Sequence, residues 1–183
     1  MGLKQLYIDI RTQLLSLVDG NSNPLIKFCQ VWNNQVTYNN DGQHYNYPMP
    51  CVFIEMASPI TIEQMGDGYQ LYNIVIRLHI VHEFYNSIDG NGIEEQDLSI
   101  FDLKDAVYIG MQKYEPNGAV QFVRTSETQD YEHTNVYHMI QEYTTNYVDN
   151  TREEPVGFID INDPPIVDTT LSFNINPTYL HIP

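Results

Sequence analysis

The longest run of clean two-residue alternation is YQLYNIVIRLHIVHEF, from Tyr69 to Phe84. Successive strand side chains point to opposite sides of the pleat, so Tyr72, Ile74, Ile76, Leu78, Ile80 and Phe84 share one face, interrupted only by His82. The other face carries Leu71, Asn73, Val75, Arg77, His79, Val81 and Glu83, a mixture suited to water or to a neighbouring subunit. A strand this long belongs at the centre of a sheet. A helical period then takes over: Ile100, Leu103, Val107, Met111 and Tyr114 recur at the spacing of one helix face, which predicts a helix over 98–114 packed across that strand. Near the N-terminus Leu3, Leu6, Tyr7, Ile10, Leu14, Leu17 and Val18 make a second helical stripe, stopped by Gly20-Asn21.

The remaining segments read as strands and turns. Residues 26–38 predict a bent strand or a hairpin around Trp32-Asn33-Asn34-Gln35, and Asn39-Asn40-Asp41-Gly42 is a turn signal. Pro48 and Pro50 precede the apolar run Cys51 to Met56, a buried strand that Pro59 is expected to end, with a loop over 60–68. Pro116-Asn117-Gly118 turns the chain into a strand over 119–125; an acidic loop, 126–135, leads to a last strand over 136–148. The predicted fold class is therefore α+β, a mainly antiparallel sheet with two amphipathic helices packed on it, in residues 1–149. Beyond Asp149 the composition changes. Pro155, Pro164, Pro165, Pro177 and Pro183 deny residues 150–183 a helix, yet Val167, Thr169, Leu171, Phe173 and Ile175 alternate as a strand does. This predicts an extended C-terminal arm with one strand, pairing with a sheet edge of a neighbour or folding back on its own subunit.

At 183 residues the chain is the size of one ordinary domain. Its 24 acidic and 8 basic residues give a formal charge of -16, which repels phosphate and argues against tight nucleic-acid binding. An acidic wall still lets DNA pass close by without holding it. The 14 tyrosines suit an interface-rich surface. Cys29 and Cys51, both in predicted strands, are too few for a disulfide framework; one bridge is geometrically open, and buried free thiols are the expectation. The N-terminus lacks a signal-peptide layout and no apolar run reaches membrane-spanning length, so a soluble, intracellular protein with no membrane partner is expected.

Candidate chemistry is sparse. Asp89 to Glu95 is superficially like a calcium loop, but the glycine stands at the wrong offset and Ile93 takes a ligand position. Asp130, Glu132 and His133 crowd one loop that has no second histidine or cysteine at ligand spacing. His79 and His82 face opposite sides of one strand and cannot share an ion; His82 is expected to bond a cross-strand neighbour. Thr125, Ser126 and His138 form no nucleophile elbow or triad. The expectation is a protein that is not an enzyme, with no catalytic, cofactor or metal site.

The order of amphipathic helix, proline-bracketed PMPCVFIEM strand, long YQLYNIVIRLHIVHEF strand, DLKDAVYIGMQ helix and RTSETQDYEHTNVYHMIQEYTTNYVD segment resembles tailed-phage tail terminator and head-tail joining (neck) proteins over residues 1–149. The arm after residue 149 departs from that pattern. The resemblance implies a virion structural protein at the head-tail junction or tail end, present in host cytoplasm during assembly. It implies a ring homo-oligomer, a hexamer or dodecamer, that contacts adjacent neck or tail tube proteins while genomic DNA passes its acidic lumen. The interface candidates are Leu71, Val75, Arg77 and Val81 on the mixed strand face and Val167, Leu171 and Phe173 in the arm. The alternative is a small intracellular protein- or ligand-binding module using the sheet face; a hydrolase built on the Asp130 to His133 loop is a distant third.

Overall fold

A computed structural model describes residues 2–36, 47–66, 69–83, 94–132 and 136–150, with backbone alone for 94–97. The expectations for Phe84, the turn at 39–42, the calcium-like loop at 89–93, His133 and the arm with Val167, Leu171 and Phe173 lie outside the described residues. Element order is α1 (Leu3–Leu15), β1 (Phe28–Val31), β2 (Cys51–Gly66), β3 (Tyr69–Glu83), α2 (Glu94–Met111), β4 (Val123–Asp130) and β5 (Val136–Asp149). The strands form one sheet in the order β1-β2-β3-β5-β4. All pairs are antiparallel except β1 with β2. This is the expected α+β class, and β3, 15 residues long, lies at the centre between β2 and β5.

The even positions of β3 build the main core. Ile74, Ile76, Leu78 and Ile80 are buried with Val52 and Ile54 of β2 and with Met139, Tyr143 and Tyr147 of β5. Leu6, Ile10 and Leu14 of α1 and Ile100, Leu103, Val107 and Met111 of α2 close the same cluster from above. Each such side chain contributes about 1.5–3 kcal/mol by leaving water, an upper range because the unfolded chain already hides some of it. Packing rather than capping holds α1, since Gly2 at its N-cap makes no side-chain capping bond. The helices approach closely at Gly110, where a Cβ would come within 2.6 Å of Leu17 Cδ2. Gln13 Nε2 donates to the Gly110 carbonyl at 2.9 Å across that contact. The N-terminal stripe outlasts its helix: Leu17 still packs on the core, but Val18 is exposed and bridges to Pro24.

Three boundaries differ from the sequence reading. Among its described residues the segment at 26–38 supplies only the short strand β1, which runs parallel to β2 and releases the chain at Trp32 after its N–H bonds the Ile54 carbonyl at 2.8 Å. Pro59 does not end β2. Ala57 pairs with Val75 and Thr61 with Asn73, so Ser58, Pro59 and Ile60 stand opposite Ile74 alone. That bulge lifts the proline, which has no N–H to give, out of the ladder, and the strand resumes to Gly66. The third correction moves β4 to 123–130. Its polar stretch 126–130, expected as loop, continues an edge strand held by ladder bonds to β5. Residues 119–122 instead form a connector: Phe122 N–H bonds the Tyr114 carbonyl and Val120 N–H the Asn146 carbonyl, at 2.9 and 2.8 Å. Gly118 opens it with φ +81°, a conformation that favours glycine.

Candidate functional site

The face of the sheet turned away from the helices is where chemistry collects. At one end Cys51, Phe53, Val81, Val136 and Val36 form a small second core, flanked by Phe28, Trp32, Tyr47 and Met49. Directly paired residues share a face, so Cys29 beside Val52 lies on the helix side, and Cys51 beside Phe28 lies on this side. Both are buried free thiols. Burial pushes each thiol up to about 12, which makes them poor nucleophiles.

Next to that core four strands bring four titratable side chains into line. β3 pairs with β5 so that Val81 faces His138 and His79 faces Ile140, which sets the two imidazoles on a diagonal. Glu55, opposite Arg77, is diagonal to His79, and Asp130 stands directly opposite His138. The resulting chain has His138 Nδ1 3.1 Å from Asp130 Oδ2, His138 Nε2 2.9 Å from His79 Nδ1, and His79 Nε2 3.0 Å from Glu55 Oε2. His79 is 4% and His138 1% exposed. Trp32 lies flat on His79, with ring centroids 3.7 Å apart and planes 4° from parallel. Burial pushes the His79 imidazole below its ordinary value; hydrogen bonding and charge from Glu55 oppose that, and the Arg77 charge adds to it.

Ionic contacts extend the line. Arg77 Nε donates to Glu142 Oε2 at 3.0 Å, and its Nη1 lies 3.6 Å from Glu55 Oε1. Thr125 Oγ1 is 3.2 Å from Glu142 Oε1. The Glu142 hydrogen bond raises the guanidinium further, against a smaller burial effect, and Glu55 reinforces it. Among the described residues no group of three His, Cys, Asp or Glu side chains is placed to hold a metal ion. The arrangement can share and relay protons; it offers no activated nucleophile.

On the helix side a separate polar cluster fastens α2 to the β4 edge. Glu127 accepts from Lys104 Nζ at 2.8 Å, Arg124 Nη1 at 3.0 Å and Gln141 Nε2 at 2.9 Å. Burial alone would raise this carboxyl, but those donors and charges together hold it below its ordinary value. Arg124 also lies over the Tyr108 ring, 3.8 Å from its centroid.

The candidate interface residues fall in different settings. Leu71 and Val75 are half-buried, and Arg77 belongs to the ionic line. Val81 is fully buried against Phe53, Cys51 and Val136, so it offers no surface to another subunit. Val75 lines a groove of about 470 Å³ with Pro59, Asn73, Val123 and Thr144. A second groove, about 450 Å³, lies where β1 stops, lined by Leu3, Tyr7, Val31, Trp32 and Met56. Its neighbour is bare backbone: β1 pairs with β2 only from Cys51 to Ile54, so the outer edge of β2 beyond carries no strand among the described residues. His82 Nε2 lies 3.3 Å from Ser99 Oγ of α2, and its Nδ1 2.9 Å from the Glu83 carbonyl.

The sequence reading missed Glu55, His138 and Trp32. A signal existed in part: His79 and His138 each stand on the mixed face of a long alternating strand, but only the register brings them together. No protein-family model matches the sequence, and no curated protein matches it.

Proposed function

We propose that this chain is a non-enzymatic structural subunit that forms a ring at the head-tail junction or tail end of a tailed phage, with DNA passing through an acidic lumen. The support that carries most weight is the uneven cover of the sheet. The helices bury the even positions of β3 from Ile74 to Ile80, while the other face keeps Leu71 and Val75 half-buried beside Val123, which is 51% exposed. Apolar positions in a strand face left open to this degree suit contact with a second copy. The element order of residues 2–149 is in keeping with the resemblance to tail terminator and neck proteins, an analogy at the level of fold. A charge of -16 suits a lumen along which DNA slides. In this reading the partners are other copies of the chain and the adjacent neck or tail tube proteins. Residues 151–183 enter it through their sequence alone, as a strand donated to a neighbour's free edge.

The groove beside Val75 favours a second reading, a small binding module using that face. Native mass spectrometry at micromolar concentration separates them. A hexamer or dodecamer is expected; a monomer or dimer at every concentration would overturn the ring and leave the binding module.

A further inference from the structure

Asp130, His138, His79 and Glu55 are joined end to end by three contacts, of 3.1, 2.9 and 3.0 Å. At such distances each contact needs one hydrogen between its two heavy atoms. Two neutral imidazoles bring two hydrogens, and two carboxylates bring none. Without a further proton, one contact must set lone pair against lone pair, and the near-complete burial of both imidazoles leaves water little room to intervene. With two further protons, one contact sets hydrogen against hydrogen. A single added proton satisfies the whole chain.

We propose that these side chains form a proton-binding site that holds one proton per chain, carried on His138. In that state His138 donates from Nδ1 to Asp130 Oδ2 and from Nε2 to His79 Nδ1. Neutral His79 donates from Nε2 to Glu55 Oε2, so every ring nitrogen has its partner. The same count is met with the proton on His79 or on either carboxylate; two neutral rings would mark a carboxylate, and the surroundings decide between the imidazoles. Arg77, 3.6 Å from Glu55, sets its positive charge on the His79 side of the chain. His79 is also the imidazole under Trp32, driven towards neutrality by burial. Among the described residues the charged groups on this face are Glu55 and Glu63 from β2, Arg77 and Glu83 from β3, Asp130 from β4 and Glu142 from β5. The site is independent of whether the chain forms a ring.

Its consequence is a cover that responds to pH. When the proton leaves to solvent, one contact of the chain opens beneath Trp32. The sign follows from the two imidazoles. A proton held on His138 lends stability that is complete below about pH 6.5 and is lost as pH rises and that proton leaves. His79, held neutral, lends stability above about pH 6.5 that is lost as the unfolded imidazole takes up a proton. Stability therefore peaks between the two.

Nitrogen-15 imidazole spectra of the full chain from pH 5 to 9 test this. The expected result is His138 protonated on both nitrogens to at least about one unit above the ordinary value near 6.5, with His79 as the neutral Nε2–H tautomer throughout. Both rings neutral at pH 7 would overturn the proposal. Asp130→Asn should lower the His138 titration by more than about one unit, because the amide accepts the hydrogen bond but supplies no charge. Glu55→Gln keeps an acceptor for His79 and should shift His138 by less than half of that amount. If Glu55→Gln releases the proton and Asp130→Asn does not, the proton sits on His79 and the assignment fails. Trp32 is the only tryptophan, so its fluorescence should follow the same titration.

Discussion

The two faces of the sheet are built from the same strands on opposite logic. On the helix side aliphatic residues follow one another along β3, from Ile74 to Ile80, and two amphipathic helices cover them. On the other side the character changes every two residues along β3, from Val81 in an aromatic cluster, through His79 in the proton chain and Arg77 between carboxylates, to half-open Val75. A uniform face needs only a cover of matching period, whereas a graded face needs each neighbour to be a particular side chain. The first is specified locally; the second depends on register.

The largest effect separating them is expected on the uniform side. Val107 of α2 is wholly buried among aliphatic side chains. Val107→Asp places an unpaired carboxylate there and should cost about 4 kcal/mol or more, a large share of a typical domain's stability. Urea unfolding checks it: a midpoint equal to that of the unchanged protein would remove α2 from the core. The graded side should respond less. Phe53 is 1% exposed and touches Tyr47 and Trp32, with ring centroids 5.0 and 6.0 Å away. Phe53→Ala should cost about 3 kcal/mol by leaving a cavity and should also loosen Trp32 over His79. A loss of stability with unchanged tryptophan fluorescence would uncouple the small core from the proton chain.

That contrast also explains what could be read from the sequence. The core face of β3 and the α2 stripe of Ile100, Leu103, Val107 and Met111 were legible because period alone selects those residues. The fold class followed from them. Pro59 misled because a proline is compatible with a strand when a bulge removes it from the ladder, and no pattern in the sequence announces that bulge. β4 misled because an edge strand held by Glu127, Lys104 and Arg124 needs no apolar alternation. The candidate site was the least legible. Asp130 attracted attention as part of a crowded acidic loop, yet its partner is His138 across a strand pair. Glu55, His79 and Trp32 come from three further stretches of chain, and their meeting depends on a parallel pair that two-residue alternation does not reveal.

The smallest change in stability, and the sharpest test of the open end of the graded face, is expected at Val75. Its side chain lies between Ala57 on β2 and Thr144 on β5, at the rim of the groove and only half-buried. An arginine there keeps its methylene stem on the sheet and its charge in water, so the folded chain should lose no more than about 1 kcal/mol. A subunit contact on that band would have to bury the new guanidinium beside Arg77, where like charge and lost hydration both oppose assembly. The expected outcome for Val75→Arg is an unfolding midpoint close to the original together with loss of the ring in native mass spectrometry. Assembly and stability lost together would make Val75 part of the chain's own core. A ring that persists unchanged would move the subunit contact elsewhere, to the edge of β2 beyond Ile54, which carries no strand among the described residues and where backbone donors and acceptors rather than side chains would carry it.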